Sequence, residues 1–252
     1  MRVGMVVEYD GTDYFGWQVQ PDRPTIQGSL EDALGRILGE SVRLEAAGRT
    51  DSGVHARGQV AVFSTERTPE LGPLQRSANA LCGQGIVVRE VHAVADDFDP
   101  RRDARSRTYE YRIHNARWPS PFTARFSWHC HRPLDRVAMK RAAAMLVGEH
   151  DFSSFQAADC DADNPVRQLF ESDILTVGDE IVYRVRGSAF LRHMVRNIIG
   201  TLVEAGEGQR SLEGFRSLLV ARDRTLAGAT SPARGLCLVG VEYERFPGNG
   251  PP

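Results

Sequence analysis

The chain opens on an apolar run, Arg2 to Tyr9, closed by the turn pair Asp10-Gly11, which reads as a strand. Thr25 can cap a helix whose apolar residues Ile26, Leu30, Ala33, Leu34, Ile37 and Leu38 share one 3.6-period face. Val42 to Ala47 reads as a strand. Gln59 to Ser64 reads as another, with Val60 and Val62 alternating against Ala61 and Phe63. A helix over Leu71–Leu81 and a strand from Ile86 to about Ala95 follow, giving the order β-α-β-β-α-β.

The second half repeats that order with longer connections. Arg107–Asn115 is a strand with Tyr109, Tyr111 and Ile113 on one face. A helix is expected over Asp135–Val147, and a hairpin joins Leu169–Val177 to Glu180–Gly187 across Gly178-Asp179. Leu191 to about Ala205 is a helix with Leu191, Val195, Ile198, Ile199 and Leu202 on its apolar face. An extra helix near Leu212–Ala221 precedes a last strand, Leu236–Tyr243. The expected class is α+β: two ferredoxin-like β-α-β-β-α-β halves with antiparallel sheets, related by element order and not by sequence identity. Expected boundaries are residues 1–104 and 105–246, joined within the arginine-rich Phe98–Ser106 segment, with a frayed Pro/Gly-rich tail at 247–252.

At 252 residues and 41% apolar content the chain can bury enough surface to fold without staples. No apolar run reaches the length of a membrane span, and Glu8 interrupts the N-terminus too early for a signal peptide. Cys82, Cys130, Cys160 and Cys237 lie far apart with no Cys-x-x-Cys, so the expected setting is the reducing cytoplasm, with no metal. His129-Cys130-His131 does not change this, because adjacent strand residues point to opposite faces. Neither a P-loop nor a Gly-x-Gly-x-x-Gly string is present, so no nucleotide cofactor is expected.

The net charge of −2 is uninformative, but its composition is not: 30 of the 31 basic residues are arginine, Lys140 being the exception. Arg101 to Arg112 holds five arginines against two acids, and Arg184 to Arg196 holds four with none. Taken alone, such runs are solvated surface. Arginine's planar fork also suits phosphate and stacks on bases.

The densest chemistry lies between the second and third strands, in Ala47-Gly48-Arg49-Thr50-Asp51-Ser52-Gly53-Val54-His55-Ala56. Gly48 and Gly53 allow a tight loop from which Arg49 and Asp51 project. In isolation Asp-Ser-Gly reads as a turn with Asp51 on the backbone and His55 packed. The spacing of a calcium loop is missing.

The string Gly48 to Ala56 resembles the signature loop of the tRNA pseudouridine synthase A (TruA) family. Further blocks resemble that family in the same order. They are Glu8-Tyr9-Asp10-Gly11 with Tyr14, Gly16-Trp17-Gln18 and Ile26-Gln27; Thr108 to Arg112; Asp151 to Phe155; Phe190 with Met194 to Gly200; and Asp223 to Ala227. They span nearly the whole chain. Cys82 and Gly85 depart from the pattern, where the family usually carries Pro and Asp.

The resemblance implies a pseudouridine synthase fold with an active-site cleft and a cofactor-free isomerase acting on tRNA. Such an enzyme detaches uracil from its ribose, turns it and rejoins it through C5. The implied substrate is uridine at positions 38, 39 and 40 of the anticodon stem-loop, and the implied assembly is a homodimer. Asp51 matches the catalytic aspartate, a nucleophile at C1′ of the ribose or C6 of the base. Arg196 matches the arginine that ion-pairs with it, and a fixed cation offsets the rise that burial imposes on a carboxyl pKa. Tyr109 matches a tyrosine that stacks on the flipped uracil, its strand partner Tyr111 being the expected core residue. Arg49 matches the residue beside the extruded base. His55 and Gln59 are expected as supports or RNA contacts, and Arg101, Arg102, Arg105 and Arg192 as phosphate contacts.

Two other classes compete. A non-catalytic RNA-binding module on ferredoxin-like sheets would need no carboxylate–arginine pair, so the Arg49, Asp51, Tyr109, Arg196 set favours the enzyme. A carboxylate glycosidase needs a second acid at a defined distance, and the sequence offers none.

Overall fold

The computed structural model describes residues 1–157 and 164–246, so the expected tail at 247–252 lies outside the described residues. Along the chain come β1 (Arg2–Tyr9), α1 (Ile26–Leu38), β2 (Glu45–Ala46), β3 (His55–Ser64), α2 (Leu71–Leu81), β4 (Ile86–Val94), β5 (Ala104–His114) and β6 (Trp128–His129). Then follow α3 (Arg136–Ala144), β7 (Gly148–Asp151), β8 (Val166–Val177), β9 (Glu180–Gly187), α4 (Met194–Gly206), α5 (Leu212–Ala221) and β10 (Leu236–Tyr243). The protein is α+β, as the pattern predicts, and no helix among the described residues is long and apolar enough to cross a membrane.

The chain divides into two compact units, Met1–Arg105 with the segment from Cys237 onward, and Ser106–Leu236. The last strand therefore departs from its expected place in the second half. Cys237 and Leu238 pair in parallel with His55 and Ala56 of β3, which draws β10 into the first unit.

In the first unit the strands run β4-β1-β3, with β2 and β10 both on β3. Thr25 caps α1 as expected, its hydroxyl accepting from Gly28 N–H. Ile26, Leu30 and Leu34 are fully buried, each stabilising the fold by roughly 1.5–3 kcal/mol. β2 is shorter than the expected Val42–Ala47 because side chains of α1 take over the backbone of Leu44. Glu31 accepts its N–H at 2.8 Å and Gln27 donates to its carbonyl at 3.1 Å. β3 is longer than expected, beginning at His55, because β10 pairs with its first two residues. A cluster of Val60, Val62, Phe98, Tyr243 and Phe246 fills out the core.

In the second unit the strands run β5-β9-β8-β7, all antiparallel, with β6 alongside β5. The short strands β6 and β7 are absent from the sequence reading, since two to four residues carry no usable periodicity. α4 starts at Met194 and not at Leu191, because His193 adopts a left-handed φ of 60° that a helix cannot contain.

Tyr111, not Tyr109, is the core tyrosine of β5. It is fully buried, its hydroxyl donates to Pro232 O at 2.8 Å, and burial raises its phenol pKa well above the ordinary value. Tyr111→Phe should lower stability by about 1–3 kcal/mol in urea unfolding by stranding that carbonyl. An unchanged midpoint would mean that the hydroxyl contributes nothing.

Candidate active site

The Gly48–Ala56 loop owes its shape to the segment after β1. Val54 N–H donates to Asp51 O at 3.1 Å, closing a turn whose third residue, Gly53, sits at φ 77°, a value only glycine takes freely. Tyr9 and Thr50 share a hydroxyl–hydroxyl hydrogen bond of 2.8 Å, and Trp17 N–H donates to Thr50 O at 3.0 Å. Ser52 donates its hydroxyl to Tyr14 O at 3.2 Å. Two close backbone approaches complete the clamp. A Cβ on Gly11 would stand 2.0 Å from Val54 O, and one on Gly16 would stand 2.7 Å from Thr50 O. Asp51 is thus half-buried on a loop pinned on both sides, and Arg49 projects into solvent.

His55 is buried, and its Nδ1 accepts from Gly11 N–H at 3.1 Å. Asp10 Oδ1 stands 3.2 Å from the same Nδ1 while accepting from Thr12 N–H at 3.0 Å. The histidine ties the loop's end to the Asp10-Gly11 turn.

Gln59 is fully buried in β3. Its Nε2 donates to Gly48 O at 2.7 Å, fixing the peptide ahead of Arg49, while its Oε1 is buried with no hydrogen-bond partner. Gln59→Leu removes the orphaned acceptor but strands Gly48 O, so it should cost about 1–3 kcal/mol of stability. Turnover should fall on the order of 10–100-fold as the loop loses its anchor. Comparing kcat with the thermal midpoint separates the two effects, and a wild-type kcat would reduce Gln59 to packing.

In the second unit Tyr109 is half-buried opposite Val185, edge-on to Phe190 with ring centroids 5.1 Å apart. Arg196 occupies the first turn of α4 and is tied to one residue in both directions. Its Nε donates to Ser231 O at 2.8 Å and its carbonyl accepts Ser231 N–H at 3.1 Å. Next to it, the buried Asn197 gathers three distant segments. It donates to Phe155 O at 2.8 Å and accepts from Thr230 at 2.6 Å and Arg224 at 3.1 Å. Arg192 is exposed and lies ahead of α4, so it is not one helical turn before Arg196 as the longer expected helix implied.

The arginine runs are less basic in space than in sequence. Arg184, in the run with no acid of its own, contacts Glu110 at 3.2 Å and Glu171 at 3.5 Å across the sheet, and Arg112 contacts Glu110 and Glu180. Arg107 is buried and donates to Ser188 O at 2.8 Å. Arg101, Arg102 and Arg105 are exposed. Asp99 organises the first two by accepting their backbone N–H groups at 2.8 and 2.9 Å. Burial tends to raise the Asp99 carboxyl pKa, but those N–H groups and the Arg102 and Arg2 charges hold it below its ordinary value. Arg105 pairs with Glu244.

Sequence reasoning did not identify Gly11, Gly16, Thr50 and Tyr9 as the clamp on the Asp51 loop. The signal was present: a strand ending in Tyr9-Asp10-Gly11 with a second glycine before a buried tryptophan. Those segments are the ones along which the chain resembles known proteins. A family model described as tRNA pseudouridine synthase matches residues 5–101 and 142–244. A tRNA pseudouridine synthase A of Myxococcus xanthus is 45% identical over 252 residues, covering 100% of this chain and 94% of that one. One of Geotalea uraniireducens is 44% identical over 242 residues, covering 96% and 99%. One of Rhodospirillum rubrum is 45% identical over 249 residues, covering 98% and 88%. Among solved structures, a chain of a Cbf5–Nop10–Gar1 complex aligns over 80% of this chain and 54% of that chain, with TM-score 0.32 and 13% identity. The residues that clamp the Asp51 loop and those that gather on Asn197 all fall inside the matched segments, over a likeness that runs the length of the chain; it belongs to the tRNA pseudouridine synthase family.

Proposed function

We propose that this protein isomerises uridine to pseudouridine at positions 38, 39 and 40 of the tRNA anticodon stem-loop, with Asp51 as nucleophile and without a cofactor. The observation that supports the reading best is the Asp51 loop itself: a half-buried carboxylate on a backbone held by Tyr9, Gly11, Trp17 and Gln59. Such a loop presents one carboxylate in one place, which a covalent step requires.

The uridine leaves its stack at a cost of a few kcal/mol. Arg49, exposed one residue before the buried Thr50, is suited to hold the flipped state. Tyr109 offers its ring to the extruded uracil, and its half-buried position beside Phe190 fits that role better than the buried Tyr111 does. Arg196 serves as the cation assigned to the nucleophile, its guanidinium steadied by Ser231. The protein acts as a cytoplasmic homodimer on one tRNA.

Arg101, Arg102 and Arg105 contact phosphate on this reading. Reversing all three charges should weaken tRNA binding and flatten its dependence on salt, with the slope falling by about one per lost contact. An unchanged slope would return them to solvated linker.

Pseudouridine mapping on unmodified tRNA transcripts, incubated with the purified protein without added metal or nucleotide, tests the proposal. Pseudouridine confined to the anticodon stem-loop supports it. Product elsewhere in the tRNA overturns the assigned positions, and tight binding without product points to an RNA-binding module.

A further inference from the structure

Between β5 and α3 the chain runs from Asn115 to Leu134 with three arginines and no Asp or Glu. This segment lies in the gap between the two stretches that match the family model. It carries aromatic rings where a soluble surface seldom does: Trp118 is 70% exposed, Phe122 92% and Phe126 44%. Arg117 lies with its guanidinium 5.2 Å from the centre of the Trp118 ring.

The loop is ordered by its own hydrogen bonds. His114 Nε2 contacts Trp118 O at 3.2 Å, Thr123 N–H donates to Ser120 O at 3.3 Å, and Phe126 N–H donates to Thr123 O at 2.9 Å. The rings are therefore displayed by a folded turn. Beside the loop lies a cavity of about 190 Å³ lined by His114, Ser120, His129 and Arg234 among others, and by no carboxylate. Neither the segment itself nor the lining of that cavity supplies a carboxylate.

We propose that the Arg117–Phe126 loop is a second RNA-binding surface, on which unpaired bases stack against Trp118 and Phe122 while Arg117 meets the backbone. Exposed rings interleaved with arginine form a stacking platform in a positive field, which is how single-stranded nucleic acid is held. The same charges argue against self-association through this face. A two-fold contact would set the three arginines of each copy against those of the other, with no acid in the segment to answer them. The inference takes its ligand, RNA, from the function proposed above and adds a contact that the chemistry at Asp51 does not use.

Affinity for the unmodified tRNA transcript should be compared between wild type and a Trp118→Ala/Phe122→Ala double variant. Each lost stack should weaken binding about tenfold, with kcat at saturating tRNA unchanged. Equal affinities overturn the proposal. So does a double variant that changes its sedimentation but not its affinity, which would assign the face to a second copy. A readout that needs no truncation is tryptophan emission. RNA should quench it in wild type, and the quench should be smaller in Trp118→Phe; an equal quench in both overturns the proposal. If the wild type binds RNA through these rings but makes no pseudouridine, the proposed reaction fails while this surface stands.

Discussion

Asp51→Ala should abolish pseudouridine formation while leaving tRNA affinity within a few-fold of wild type. The expected loss in single-turnover rate is on the order of 10⁴-fold or more, the scale seen when a covalent nucleophile is removed. The Asp51–Val54 turn closes through backbone atoms, and the clamp uses Gly11, Gly16, Thr50 and Gln59. Asp51→Asn sharpens the test, since it keeps the shape and removes only the charge and nucleophilicity. The assay is pseudouridine formed in a transcript with enzyme in excess, beside the thermal midpoint of each variant. Residual turnover near the native rate in either variant would sink the nucleophile assignment, provided both retain the wild-type midpoint.

Gly11→Ala should damage both stability and activity. The added Cβ would stand 2.0 Å from Val54 O, a backbone atom that can move only by shifting the turn that carries Asp51. The same shift strains the 3.1 Å hydrogen bond from Gly11 N–H to His55 Nδ1. Overpacking of this kind costs about 1–3 kcal/mol. A displacement of about 1 Å at a reacting group can cost on the order of 10²-fold in rate. Gly72→Ala is the matching control in the same unit. It lies in the first turn of α2 ahead of Pro73, beyond its chain neighbours its Cβ would meet only the flexible end of Arg76 at 3.5 Å, and it should change stability by less than about 1 kcal/mol. If Gly11→Ala melts and turns over like wild type, the clamp described above does not set the position of Asp51.

Strands and helices were legible where one physical signal dominated. β1, α2, β9, α5 and β10 fall where the sequence pattern puts their ends. β2 was misjudged because Val42 and Leu44 are buried without belonging to the ladder. Helix side chains satisfy the backbone of Leu44, a substitution that no local pattern encodes. β10 was assigned to the second unit because chain order implies neighbours, whereas its Cys237 and Leu238 pair with His55 and Ala56 of the first. At the site, the unusual residues Asp51 and Arg49 stood out in a glycine-framed loop. Gly11 and Gly16 did not, since a glycine that admits a carbonyl from elsewhere looks in sequence like any other turn. Arginine runs misled for a similar reason: Arg184 opens a run with no acid of its own, yet two carboxylates stand within 3.5 Å of it across the sheet.

The parallel pairing of β10 with the start of β3 also sets a schedule for the molecule's assembly. Cys237 is about 180 residues downstream of His55, so at ordinary rates of synthesis the two meet on the order of 10–40 s after His55 is made. Until then the strand end that follows the Asp51 turn is an open edge. A ribosome that stalls before Cys237 therefore leaves a chain whose β3, paired with β1 at Ala56 on one side, lacks its β10 partner on the other at the base of the Asp51 loop.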